Sequence, residues 1–343
     1  MSAREKIACL GAGRMGRGIA VVFAYAGHEV AVVDFKPRPQ AEFEQLAAAA
    51  RNEVRRTLSS LARFGLFDEK FVDTITGRVS VRPEAQAKDA LPAATVIFEG
   101  VPEVLELKRA ALAQASALAG SQPIIASTTS TILADDLASA VAQPERFLNA
   151  HWLNPAYLVP LVELSPAATT APAAVARLKS LLEAIGKVPV VCAARPGYIV
   201  PRIQALAMNE AARMVEEGVA SAADIDKAIK YGFGFRFAVL GMLEFIDWGG
   251  GDILYYASRY LTQALGNARY AAPEIVERNM RDGHIGLTTG KGFLDYENLD
   301  VEAYRSERLK AFVAMLRQLD LARPPVLDDA AADNEPCPPG QKV

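Results

Sequence analysis

The 343-residue chain has little cysteine, little histidine and no long apolar run, and each scarcity removes a class of function. Three cysteines at wide spacing, Cys9, Cys192 and Cys337, make neither a disulfide framework nor a metal knuckle, and three histidines leave few ligands for a metal site. A reducing cytoplasm and no metal are expected. No stretch reaches the ~18 uninterrupted apolar residues of a membrane span. Arg4, Glu5 and Lys6 stand before a short strand-like run, not the longer apolar segment of an export signal. An excess of one charge is also missing: 37 Lys+Arg face 40 Asp+Glu for a net charge of -3, which gives no basic field for nucleic acid or an anionic membrane. What the chain does have is apolar bulk. At 51% hydrophobic it buries a large core, in two domains rather than one, and its partners are small molecules or protein.

The run Lys6-Ile-Ala-Cys-Leu10 leads through Gly11-Ala-Gly-Arg-Met-Gly16-Arg-Gly18 into Ile19–Ala26, and Glu29–Val33 ends at Asp34. Strand, glycine turn, helix and strand make a βαβ unit and imply an α/β sheet. Residues 40–76 read as a helical hairpin inserted beyond a minimal crossover. Strands are expected at 79–81, 95–99, 123–127, 147–151, 161–164 and 188–192, with helices at 106–119 and 172–185. After Arg195-Pro-Gly197 the strand signals stop, and the chain reads as helices broken at Gly218, Gly232–Gly234, Gly249–Gly251 and Gly286–Gly292. The expected fold is a doubly wound α/β sheet of Rossmann type over 1–195, then an all-helical domain over 196–322 and a flexible polar, proline-rich tail over 323–343.

The glycine run has the spacing of a dinucleotide fingerprint in its proper context, between a strand and a helix. Gly11 makes the tight turn, Gly13 lets backbone approach a pyrophosphate and Gly16 lets helix meet strand, with Arg14 and Met15 in the same turn. Asp34 is placed to accept hydrogen bonds from the adenosine ribose hydroxyls. A 2′-phosphate would meet a like charge there, so NAD is favoured over NADP, with Lys36 and Arg38 nearby.

A second constellation is Asn149-Ala-His151-Trp-Leu-Asn154-Pro with Glu163 behind it. His151 and Glu163 each close an apolar strand. In a parallel sheet these would be two carboxyl-edge positions facing one another at the ligand crevice. A carboxylate there fixes the imidazole tautomer and stabilises its protonated form, as a general base requires. A lone histidine is as readily structural, and spacing alone does not show contact.

Together with Glu99-Gly-Val-Pro-Glu103-Val-Leu-Glu-Leu-Lys108, Ala126-Ser-Thr-Thr-Ser130-Thr, Arg195-Pro-Gly-Tyr-Ile-Val-Pro-Arg202 and Gly286-Leu-Thr-Thr-Gly-Lys-Gly-Phe-Leu-Asp-Tyr296, these motifs resemble the L-3-hydroxyacyl-CoA dehydrogenases of fatty acid metabolism, in order to about residue 321. The resemblance extends to the L-carnitine dehydrogenases and the L-gulonate dehydrogenase/lambda-crystallin group, which act on free hydroxy acids. It implies His151 as the base removing the 3-hydroxyl proton, Glu163 as its orienting partner, and Ser130 and Asn154 as holders of the substrate oxygens. It also implies Glu103 and Lys108 beside the nicotinamide, and a homodimer formed through the helical domain. Each residue has a plainer alternative: Ser130 as a helix N-cap, Asn154 as a turn former, Glu103 and Lys108 as solvated helix-start charges.

One departure concerns the asparagine that these enzymes carry after Pro-Gly-Phe-Ile-Val to reach the thioester carbonyl. Here it is Pro201, which donates nothing; Gln204 and Asn209 on the same helix are candidate replacements, and the proline is also tolerated as a helix start. Arg51, Arg55, Arg56 and Arg63 lie on the hairpin whose family counterpart contacts CoA. Arg236, in Gly232-Phe-Gly-Phe-Arg-Phe, is a candidate carboxylate clamp or an exposed cation. The expected activity is NAD-dependent oxidation of a short-chain L-3-hydroxyacyl-CoA. The alternatives are a free hydroxy carboxylate as substrate and a non-catalytic NAD-binding relative.

Overall fold

The computed structural model describes residues 4–325; Cys337 and residues 326–343 of the expected tail lie outside the described residues. The chain forms two compact units, dividing between Glu210 and Ala211.

The first unit is built on strands β1 (Lys6–Leu10), β2 (Glu29–Asp34), β3 (Val79–Pro83), β4 (Val96–Glu99), β5 (Ile124–Ser127), β6 (Phe147–Trp152), β7 (Leu161–Pro166) and β8 (Val188–Val191). They form one sheet in the order β3-β2-β1-β4-β5-β6-β7-β8. Its first six strands are parallel, the doubly wound order whose reversal point beside β1 opens a ligand crevice. Alternation along the strands feeds two cores: Ile7, Cys9, Val32 and Phe98 enter one, and Ala8, Leu10, Val33 and Ile97 the other. The faces are covered by α1 (Arg14–Tyr25), α2 (Gln40–Arg63), α3 (Val72–Thr76), α4 (Ala87–Ala90), α5 (Leu105–Ala119), α6 (Ala134–Ala138) and α7 (Pro172–Ala184). The helical hairpin over 40–76 is α2 and α3.

Two local expectations are corrected. The first helix begins at Arg14, inside the glycine run, and not near Ile19, because the glycine turn itself supplies its start. The β6–β7 pair is antiparallel. Residues 153–160 are too few for a parallel crossover, which takes about a dozen. The connection is held by Lys187, whose Nζ donates to the carbonyls of Ala156 at 2.6 Å and Val159 at 2.8 Å while lying 5.6 Å from the Trp152 ring centre. Burial pushes the Lys187 pKa down.

Helix α8 (Val200–Glu216) runs across the division into the second unit. There follow α9 (Ala222–Ala228), a π-helical stretch Ile229–Gly234, α10 (Phe235–Phe237), α11 (Met242–Gly249), α12 (Gly251–Leu265), α13 (Glu274–Arg281) and α14 (Val301–Gln318). The break expected at Gly232–Gly234 is thus a widened helical turn continuous with its neighbours. The glycines of 286–292 serve a buried carboxylate. Asp247 accepts from the amides of Phe293 at 2.9 Å and Leu294 at 2.8 Å and from the Tyr296 hydroxyl at 3.1 Å. A Cβ on Gly292 would lie 2.1 Å from Asp247 Oδ1. The unit leaves large apolar side chains exposed, among them Ile253 at 62%, Tyr260 at 70% and Leu309 at 55%. Among the described residues no helix is long and apolar enough to cross a membrane.

Candidate active site

The glycine turn after β1 meets the geometry a dinucleotide needs. Gly11 has φ 94° and donates its amide to the Val33 carbonyl at 2.8 Å. A Cβ on Gly16 would sit 2.2 Å from the Gly11 carbonyl, whereas Gly13 faces open space. No side chain caps α1, so its first amides stay available to an anion. Beside them lies a cleft of about 810 Å³ whose walls include Gly11, Gly13, Asp34, Arg38 and Gly100. Asp34 ends β2, buried, and its Oδ2 accepts from Arg38 Nε at 2.6 Å. Arg14 is exposed, while Met15 packs partly against the core. Open amides, a carboxylate at the second strand end and the space between them fit NAD.

Across the strand ends runs a buried polar row: the register pairs Glu99 with Ser127, Ser127 with Asn149 and Asn149 with Ser165. Glu99 is fully buried and Lys108, on α5, is 1% exposed. Lys108 Nζ donates to Glu99 at 2.9 and 3.2 Å and to the Val101 carbonyl at 3.1 Å. The reading of Lys108 as a solvated helix-start charge therefore falls, since the buried carboxylate of Glu99 draws it inward. Glu103 lies 3.4 Å from the same ammonium. Its Oε1 accepts the Ser130 amide at 3.0 Å, the Thr131 amide at 3.1 Å and the Thr131 hydroxyl at 3.0 Å, as well as the Thr129 hydroxyl. Burial pushes the Glu103 pKa up, but these hydrogen bonds and Lys108 outweigh it and hold the carboxyl below the usual range. Ser130 is thereby fixed by its backbone, with its hydroxyl exposed. Helix α6 starts four residues later, so the N-cap alternative for Ser130 is also corrected.

His151 and Glu163 stand opposite each other in the β6–β7 register, not at two parallel carboxyl edges as the strand order implied. The His151 Nδ1 lies 2.8 Å from Glu163 Oε2. The other oxygen of Glu163 accepts the amides of Ile199 at 2.9 Å and Val200 at 2.8 Å. Burial pushes the Glu163 pKa up, and the bonds from His151, Val200 and Ile199 pull it back below the ordinary carboxylate range. With a carboxylate on Nδ1, that nitrogen carries the proton and Nε2 keeps its lone pair. Neither His28 nor His284 has such a partner; His28 Nδ1 accepts the Glu5 amide at 2.9 Å in a buried turn.

Asn154 is exposed next to a cis bond to Pro155, on a cleft of about 280 Å³ that Arg14, Arg17 and Thr57 also line. Pro201 stands in the first turn of α8, where a missing N–H is tolerated, and Gln204 and Asn209 are exposed farther along it. Arg236, in the second unit, is exposed, donates to the Gly232 carbonyl at 3.1 Å and lies 5.1 Å from the Phe245 ring centre. Sequence reasoning missed Glu99, Ser127 and Asn149 as members of the site. The available signal was a polar residue within each short apolar strand, at its end in Glu99 and Ser127 and inside it in Asn149. It also missed Tyr198, for which no spacing rule exists.

The 3-hydroxyacyl-CoA dehydrogenase NAD binding domain matches residues 6–195, and the 3-hydroxyacyl-CoA dehydrogenase C-terminal domain matches residues 197–296. A 5-formyl-3-hydroxy-2-methylpyridine 4-carboxylate 5-dehydrogenase of Mesorhizobium japonicum is 30% identical over 317 residues, covering 92% of this chain and 98% of that protein. A lambda-crystallin homolog of Bos taurus is 36% identical over 261 residues, 76% of this chain and 78% of that one. Among solved structures, a 3-hydroxyacyl-CoA dehydrogenase of Archaeoglobus fulgidus superposes with a TM-score of 0.73 at 31% identity, covering 93% of this chain and 100% of that one.

The buried ion pair gives the first testable outcome. Lys108→Met leaves Glu99 buried without its cation, and urea unfolding is expected to show a loss of about 3–5 kcal/mol. Adding Glu99→Gln should return most of that loss. A single variant as stable as the parent contradicts the pairing.

Proposed function

The chain belongs to the 3-hydroxyacyl-CoA dehydrogenase family and is an NAD-dependent oxidoreductase; on that premise we propose that it oxidises the 3-hydroxyl of a short-chain L-3-hydroxyacyl-CoA to the 3-keto product, in the cytoplasm, with His151 as general base. The observation that carries the reading is the 2.8 Å contact between His151 Nδ1 and a carboxylate that two backbone amides already fix. The free Nε2 takes the hydroxyl proton as the C3 hydrogen departs with its electron pair and the C3–O double bond forms. Bound NAD supplies the hydride acceptor. Glu163 compensates the imidazolium that results, and burial makes that compensation stronger than it would be in water. Ser130, on its pinned loop, and Asn154 hold the substrate oxygens, while Gly11, Gly13, Asp34 and Glu103 hold the cofactor. Gly16 lets the helix close on the turn, and Lys108, spent on Glu99 and the Val101 carbonyl, acts beside the nicotinamide through Glu103.

A second reading, a free hydroxy carboxylate as substrate, is favoured by one observation: Pro201 offers no donor where a thioester carbonyl would be bound. The apolar side chains that the second unit exposes support a further part of the proposal, a homodimer formed through that unit.

NADH formation over a panel of 3-hydroxyacyl-CoAs and the matching free acids separates the two substrates. Under the main reading a thioester has the highest kcat/KM, and a free acid that surpasses every thioester overturns it. On the better substrate His151→Gln should lower kcat by ~10²–10⁴ with NAD affinity retained; near-normal turnover would remove the base from the mechanism. Sedimentation at micromolar concentration should show twice the chain mass, and a monomer there contradicts the assembly.

A further inference from the structure

Tyr198 is a residue to which the reaction as described gives no task, and its backbone is held in a conformation that a tyrosine rarely adopts. Its φ is 44°, directly after Gly197 at φ 78°. A left-handed conformation is unfavourable for a non-glycine residue and persists where the surroundings impose it. Two such residues in succession reverse the chain so that the next two amides, Ile199 and Val200, reach the same oxygen of Glu163. The reversal also buries the Tyr198 side chain to 7% exposure.

Its ring lies on the His151 imidazole with the centroids 5.2 Å apart and the planes at 10°. Its hydroxyl accepts from Asn149 Nδ2 at 2.9 Å and donates to the Thr129 carbonyl at 3.1 Å. Asn149 sits two residues before His151 on the same strand face, and its other amide hydrogen goes to the Ile132 carbonyl at 2.9 Å. Thr129 immediately precedes Ser130. One side chain therefore touches the imidazole with its face and ties the imidazole's strand to the Ser130 loop with its hydroxyl.

We propose that Tyr198 is a positioning residue for the oxidation: its ring supports the protonated imidazole of His151, and its hydroxyl fixes the distance between His151 and Ser130. The proposal rests on the reading of His151 as the base. Three titratable groups surround this stack: the carboxylates of Glu163 and Glu103 and the thiol of Cys192. Burial pushes the Cys192 thiol up, with Glu163 adding to the effect, and burial likewise pushes the Tyr198 phenol up. The phenol thus stays protonated and remains a donor to Thr129.

Two variants separate the two tasks. Tyr198→Phe keeps the stack and removes the tie; kcat/KM should fall roughly 3- to 10-fold, the worth of one hydrogen bond, and the pH profile should stay in place. Tyr198→Leu removes both. The rate should fall further, and the pH midpoint of the His151 imidazole should drop by ~0.5–1, because a π-face that favours the cation is lost. That midpoint is read by NMR on histidine-labelled protein, where only three imidazoles contribute and the His151 signal is identified by its loss in His151→Gln. The reading does not depend on turnover. Full activity of His151→Gln would therefore sink the general base while the stacking result still stood on its own. An unmoved midpoint in folded Tyr198→Leu, or an undiminished rate in Tyr198→Phe, overturns the proposal. If the leucine variant fails to unfold cooperatively, the phenylalanine variant decides alone, since a midpoint that moves there means the ring is not the support.

Discussion

A carboxylate with no solvent exposure must have its lone pairs answered by the chain, and Glu163 imposes that demand on everything around it. One oxygen takes the His151 ring and the other takes two amides that converge on it where the chain reverses at Gly197 and Tyr198. The antiparallel turn between β6 and β7 sets the pair opposite each other, and Lys187 holds that turn from below. The Glu163 pKa lies below its ordinary value. Its contribution to stability is therefore complete above the usual carboxylate range and is lost as the pH falls below that range through the depressed value.

The same logic extends along the strand ends. Glu99 is answered by Lys108, by the Ser127 hydroxyl and by the Val101 amide at 2.7 Å, and Lys108 in turn meets Glu103, which grips the Ser130 loop. A continuous set of charge-assisted bonds thus joins the loop after β4 to the loop after β5, and Tyr198 carries the connection on to β6. In a buried network of this kind each group is held by partners that are themselves held, so the polar side chains along the strand ends have one fixed arrangement.

Much of this was legible in the residues. The glycine run and Asp34 identified the first βαβ unit because a tight turn, a phosphate and a close helix each demand glycine at a fixed place. His151 and Glu163 stood out as polar residues closing apolar strands. Their relative direction did not, because strand order along the chain carries no sign for a pairing, and only the shortness of residues 153–160 spoke for an antiparallel turn. Lys108 could be read as solvated because nothing local to it reveals that Glu99 faces it across a loop. Tyr198 was hidden for a related reason: its contacts reach 49 and 69 residues back along the chain, beyond any periodic pattern. The glycines near residue 290 resembled a family signature, and the structure adds their cause in the buried Asp247 carboxylate.

In the proposed reaction a buried anion on Nδ1 prepares His151 to accept a proton. The pH dependence of kcat/KM for oxidation by Glu163→Gln tests it most directly, because the amide keeps the shape and an acceptor for Ile199 and Val200 while removing the charge. Without the anion the imidazolium loses its compensation, and the acid limb of the profile should move to lower pH by about 1 or more, with a reduced plateau. An acid limb that stays where it is, with an undiminished plateau, would contradict the account.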